Sequence, residues 1–170
     1  MTRLIRAFWG LCTFKIAPQD IPGSNALLLL AVLGYYFTGA IVLLLQWPMP
    51  QAMLAALLDT VLFTILCYVL LWSRLLGNRF TQTMTALAGS CSLLALIAAP
   101  LVYWQVQIAS FREGAIGLPT LLLLAWTGWN ISVVGHILRH ALSTVFAVGL
   151  GLAAVYAYII FQLIRILFHR

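Results

Sequence analysis

Five stretches of predominantly apolar residues, at about 26–46, 51–72, 80–104, 119–138 and 142–166, leave this chain of 170 residues one class of fold. About 20 residues at 1.5 Å each rise about 30 Å, the thickness of a bilayer's hydrocarbon core. No water reaches an open backbone there, so each stretch is expected to be a helix that satisfies its own peptide groups. The expected fold is all-α, a polytopic membrane helix bundle. Residues 26–170 form its five transmembrane helices, and residues 1–25 hold an interfacial amphipathic helix and a linker. Composition points the same way: 64% of residues are hydrophobic and 7% charged, against roughly 45–50% and 25% in soluble domains. The spans consume nearly the whole chain, so any chemistry must take place in or at the bilayer.

The connecting segments set the topology. In residues 2–16, Leu4, Ile5, Phe8, Leu11 and Cys12 share one helical face, and Thr2, Arg3, Arg6, Gly10 and Thr13 share the other. That apolar part is too short and interrupted for a signal-peptide core, and Trp9-Gly10-Leu11 before Cys12 is no lipoprotein cleavage pattern, so the segment is expected to be retained. Residues 18–25, with Pro18, Pro22 and Gly23, break the helix before the first span. Trp47-Pro48-Met49-Pro50 is a tight hairpin link, and residues 105–118, with Arg112 and Glu113, are the longest internal loop. With the N-terminus inside, Arg3, Arg6, Lys15, Arg74, Arg79 and Arg139 are cytoplasmic, and Arg112, Arg165 and Arg170 are outside. This bias favours a cytoplasmic N-terminus. Trp47, Trp72 and Trp104 stand at span ends as interfacial anchors. The net charge of +6 is scattered over helix ends, which fits anionic lipid headgroups and not nucleic acid.

Asp59 is an acid inside the second apolar run. A carboxylate at the centre of a spanning helix costs about 2.5–3.5 kcal/mol on insertion scales, so it is expected to face protein or water. Ala52, Ala55, Ala56, Phe63 and Cys67 lie on its helical face. At 1.5 Å per residue Asp59 is about 12 Å from the outer boundary. Thr38 lies at similar depth, and Asn130 and Tyr156 lie close to it, which makes these three the natural hydrogen-bond partners of an intramembrane polar cluster. Two readings follow. Asp59 fixes helix register by bonding to neutral groups, or it carries a proton or cation. Small-residue strips at Thr85, Gly89, Ser92 and Ala99, at Gly128, Ser132 and Gly135, and at Ala147, Gly151 and Ala154 are expected to be where the helices approach closely.

Other chemistry finds little support. His136 and His140 share a helical face, but a zinc site needs a third ligand, and Ile137 stands where the zincin motif has Glu. With Arg139 they read as a basic cytoplasmic end that contacts headgroups or caps helix carbonyls. Cys12, Cys67 and Cys91 have no metal or redox spacing and read as small buried hydrophobes. No nucleophile triad, paired carboxylates, phosphate loop or haem-type His pair stands out, so no catalytic residue, metal site or cofactor is assigned.

The polar entry to the third span, Asn78-Arg79-Phe80-Thr81-Gln82-Thr83, resembles the Yip1 family of five-span membrane proteins. So do Ala99-Pro100 and the run from Trp129 to Gly135-His136-Ile137-Leu138-Arg139-His140-Ala141-Leu142-Ser143. The resemblance spans residues 24–166. It implies a cytoplasmic N-terminus, five spans and no enzymatic activity. Eukaryotic members serve vesicle transport with Rab GTPases through a long cytosolic N-terminal region. Here about 25 residues precede the first span, so the chain is more similar to compact bacterial members, which places it in an inner membrane. The expected function is a non-catalytic membrane scaffold or assembly protein that binds lipid and a membrane-protein partner or a second copy. The alternative is a small transporter or channel subunit that couples protons or cations through Asp59.

Overall fold

The computed structural model describes residues 2–109 and 117–168, with side chains from residue 6 onward and excepting residue 109. Six helices run in order: α1 (Thr2–Cys12), α2 (Asn25–Leu44), α3 (Met49–Ser73), α4 (Phe80–Ala109), α5 (Leu118–Ala141) and α6 (Phe146–Phe168). Short 3-10 turns at Pro18–Asp20 and Gly77–Arg79 precede α2 and α4. No strand occurs among the described residues. Helices α2 to α6 are each long and apolar enough to cross a bilayer, so the fold is an all-α transmembrane bundle and the protein is integral to a membrane.

Prolines and left-handed residues set the ends. Pro50 and Pro119 fall in the first turns of α3 and α5, where a missing N–H costs nothing and the fixed φ suits a helix. Helices α1, α3 and α5 end on Phe14, Leu75 and Ser143, which take φ of 61°, 59° and 52°. In each case the next N–H bonds back to a carbonyl of the last turn: Lys15 to Gly10 at 2.8 Å, Leu76 to Leu71 at 2.8 Å, Thr144 to Arg139 at 2.9 Å. Three helices thus close by the same C-terminal motif without its usual glycine.

Two boundaries differ from the sequence reading. The third span does not stop near 104 but stays helical to Ala109 despite Pro100, which removes only one intrahelical bond. The longest internal loop is shorter as a result, and residues 110–116, with Arg112 and Glu113, lie outside the described residues, as does Arg170. The last span begins at Phe146, because the turn closed by Ser143 occupies the residues before it.

Helix α4 is the central element. From Thr83 to Ser92 it is buried on every side, enclosed by α1, α2, α3, α5 and the Pro18–Asp20 turn. At 30 residues it is about 45 Å long, more than the hydrocarbon core of a bilayer requires, and its first turns are polar. There Gln82 Nε2 donates to the Ile21 carbonyl at 3.1 Å, and Thr85 Oγ1 donates to the Thr81 carbonyl at 2.6 Å.

Helix α1 is the amphipathic N-terminal helix that the sequence implies, and the bundle receives its apolar stripe. The apolar face of α1 lies against protein: Leu11 and Cys12 are fully buried and the Phe8 ring fills the space over Gly89, where a Cβ would strike it. Burial also pushes the Cys12 thiol up from its ordinary pKa. The Leu4 and Ile5 side chains lie outside the described set. An amphipathic stripe covers protein or lipid equally well. Here the glycine on α4 opens a seat for it, and the indole N–H of Trp129 holds it by donating to the Cys12 carbonyl at 3.0 Å.

Helix α6 rests mainly on α5. Their backbones touch at Gly135 and Gly149, where a Cβ on Gly135 would stand 2.9 Å from the backbone of Leu150, and one on Gly149 would strike the Gly135 carbonyl. The expected strip Ala147, Gly151 and Ala154 points the other way and is exposed, as is Gly128. Helix α6 carries two small-residue strips, and the one with Gly149 and Ala153 faces the bundle.

Candidate functional site: a carboxylate between two tyrosines

Asp59 lies ten residues into α3, about 15 Å from its start. Ala52, Ala55, Ala56, Phe63 and Cys67, all buried, share its face. The small residues before it allow α2 close, since a Cβ on Gly39 would stand 3.9 Å from that of Ala56. Tyr35 of α2 donates its hydroxyl to Asp59 Oδ2 at 2.5 Å. Tyr156 of α6 donates to Oδ1 at 2.6 Å and also approaches the Asp59 carbonyl at 3.1 Å. Phe63, one turn further along α3, lies between the tyrosines, its ring centroid 5.3 Å from that of Tyr35 and 5.1 Å from that of Tyr156. One carboxyl group therefore joins three helices.

The structure brings Asp59, Tyr156 and Asn130 together but not Thr38. The Thr38 hydroxyl donates within its own helix, to the carbonyls of Gly34 at 2.9 Å and Tyr35 at 3.1 Å. Asn130 lines a chamber with Asp59 and makes no side-chain hydrogen bond among the described residues. Tyr35 is the partner that sequence reasoning missed. It lies three residues before Thr38 and four after Ala31, on the one face of α2 that buries Ala31 and Thr38. The signal existed, but Tyr36 and Phe37 beside it obscured which aromatic pointed inward.

A chain of cavities leads to the carboxyl group. The innermost, about 200 Å³, is lined by Tyr35, Asp59, Phe63, Cys91, Asn130 and Tyr156 among others. The next, about 290 Å³, shares Tyr35, Asp59, Cys91 and Asn130 with it and adds Gly39, Leu43 and Ile164. Leu43, Ile160 and Ile164 continue into an outer crevice of about 670 Å³, which ends at Gln46, Trp47 and Arg165. The buried stretch of α4 supplies one wall of both inner chambers through Cys91.

The basic residues at the other end act on the protein itself. His136 is buried, its Nε2 lies 3.4 Å from the Ile16 carbonyl, and the Phe14 ring meets it edge-on at 5.1 Å. His140 packs 4.7 Å from His136, with Arg139 Nη2 3.2 Å from its Nε2. Arg139 also lies over the Phe146 ring at 5.6 Å. Of the contacts expected for this set, with headgroups or with carbonyls at a helix end, His136 meets a backbone carbonyl, that of Ile16, because the left-handed turn at Phe14 folds the N-terminal segment over it. The described residues contain no group of three or more His, Cys, Asp or Glu side chains that could hold a metal ion.

Comparison of the chain with family models, curated proteins and solved structures gave no match in any of the three.

Proposed function

We propose that this protein is a non-catalytic integral membrane scaffold or assembly protein that binds a partner helix, as a compact Yip1-like member of a bacterial inner membrane with its N-terminus in the cytoplasm. The observation that carries this reading is the second small-residue strip of α6. Ala147, Gly151 and Ala154 are exposed, and a Cβ on Gly151 would meet nothing within 4 Å. Lipid gives helices no hydrophobic reason to associate, so close backbone approach along small residues is the usual basis of helix pairing in membranes. Gly135 and Gly149 already pair α5 and α6 in this way, and the strip beside them is uncovered.

A photoreactive side chain at position 151 tests the partner directly in native membranes. It is expected to yield one recurrent adduct, a second copy or a single other membrane protein. The same label at the exposed Tyr158 is expected to yield mainly lipid. Diffuse lipid labelling from position 151 contradicts the proposal.

The crevice that reaches Asp59 favours a second reading, a small transporter or channel subunit. In liposomes loaded with a pH-sensitive dye, that reading expects a flux in the wild type that Asp59→Asn removes. Equal background flux in both removes the reading.

A further inference from the structure

The inner chambers combine features that the three-helix clasp does not use. A carboxylate offers about four lone-pair directions, and the two tyrosine hydroxyls occupy one on each oxygen. Asp59 also lines both inner chambers. Asn130 lines the same chambers and makes no side-chain hydrogen bond among the described residues. No Lys, Arg or His side chain lines either chamber, so among the described residues no protein cation balances this carboxylate. The nearest charged residue on the route is Arg165, nine residues beyond Tyr156 on α6 and about 14 Å away along the helix.

The walls decide which kind of cation fits. A hard metal ion requires six or more oxygen ligands, or keeps its water. Beyond Asp59, Asn130 and the two tyrosines, this lining is carbon and sulfur: Phe63, Cys91, Ile131, Val134, Ala153 and Ile160. Three of the wall residues, Tyr35, Phe63 and Tyr156, present aromatic rings, which attract weakly hydrated organic cations. The approach through Leu43, Ile160, Phe161 and Ile164 is apolar, so a ligand that enters must tolerate losing its water.

From this arrangement we propose that the Asp59 chamber is a binding site for a lipophilic organic cation. The positive centre lies against the Asp59 carboxylate and the rings of Tyr35, Phe63 and Tyr156. The apolar groups of the ligand extend along Ile160 and Ile164 toward the outer crevice. The site is independent of the partner-helix strip on α6, and binding requires no transport.

The test uses the full chain in mild detergent, with tetraphenylphosphonium as probe and equilibrium dialysis as readout. The wild type is expected to bind at one saturable site, and the neutral triphenylphosphine oxide to compete at least tenfold more weakly. Asp59→Asn is expected to weaken tetraphenylphosphonium binding at least tenfold. Because that variant also alters the helix clasp, Ala157→Leu supplies an independent arm. It fills the inner chamber from α6 while leaving Asp59, Tyr35 and Tyr156 in place, and it is expected to abolish binding with an unchanged elution profile. Absence of saturable wild-type binding, equal competition by the neutral compound, or full affinity in the Ala157→Leu variant each overturns the proposal.

Discussion

Gly149→Leu is expected to destabilise the bundle by about 3 kcal/mol, at the upper end of the range for overpacking. The reason is the identity of the neighbours. A Cβ at Gly149 would fall on the Gly135 carbonyl and stand 3.0 Å from the Arg139 amide nitrogen, and backbone atoms cannot step aside as a side chain does. The α5–α6 crossing must therefore open, which weakens the main attachment of α6. Gly151→Leu, two residues on, is the matched control. A Cβ there meets nothing within 4 Å, so the stability of the isolated protein is expected to change by less than about 0.5 kcal/mol. Reversible unfolding in bicelles measures both. Equal losses from the two substitutions would show that α5 and α6 do not meet at this glycine pair.

Asp59→Ala is expected to cost about 1–3 kcal/mol, because it removes two hydrogen bonds, each worth between about 0.6 and 1.7 kcal/mol within a membrane. The loss falls unevenly. Helix α2 also packs along α4, whereas α6 touches α3 through few residues, Tyr156 among them. Loosening is therefore expected first at α6. A cysteine placed at Ala153, buried in the intact bundle, is expected to gain reactivity toward a membrane-permeant maleimide in the Asp59→Ala background, with no such gain at buried Ala86 of α4. Unchanged labelling at 153 would mean that Tyr156 does not hold α6 in place. A leucine at position 59 is a poorer probe, because its larger apolar side chain adds new packing that offsets the lost hydrogen bonds.

Much of this architecture is legible from residue order alone. The apolar runs give the helices, since a bilayer permits few alternatives, and Asp59 with the alanines at 52, 55 and 56 marks the buried face of α3. Helix rotation is less legible. In a soluble protein polarity marks the outward face, but in hydrocarbon both faces are apolar, so Ala147, Gly151 and Ala154 look as ready to pack as Gly149 and Ala153. The same ambiguity hid Tyr35 in its aromatic run and left Thr38 as a candidate, although a helical threonine readily donates to a carbonyl of its own preceding turn. Long-range packing was the least legible: nothing local to Phe8 or Cys12 states that Gly89 and Trp129 receive them.

The clasp at Asp59 is the centre of this account, and a double-mutant cycle between Asp59→Ala and Tyr156→Phe, measured by reversible unfolding in bicelles, tests it most directly. A shared hydrogen bond across α3 and α6 predicts a coupling of about 1 kcal/mol, so the double variant loses less than the sum of the single losses. Single losses that add to within about 0.3 kcal/mol would contradict it.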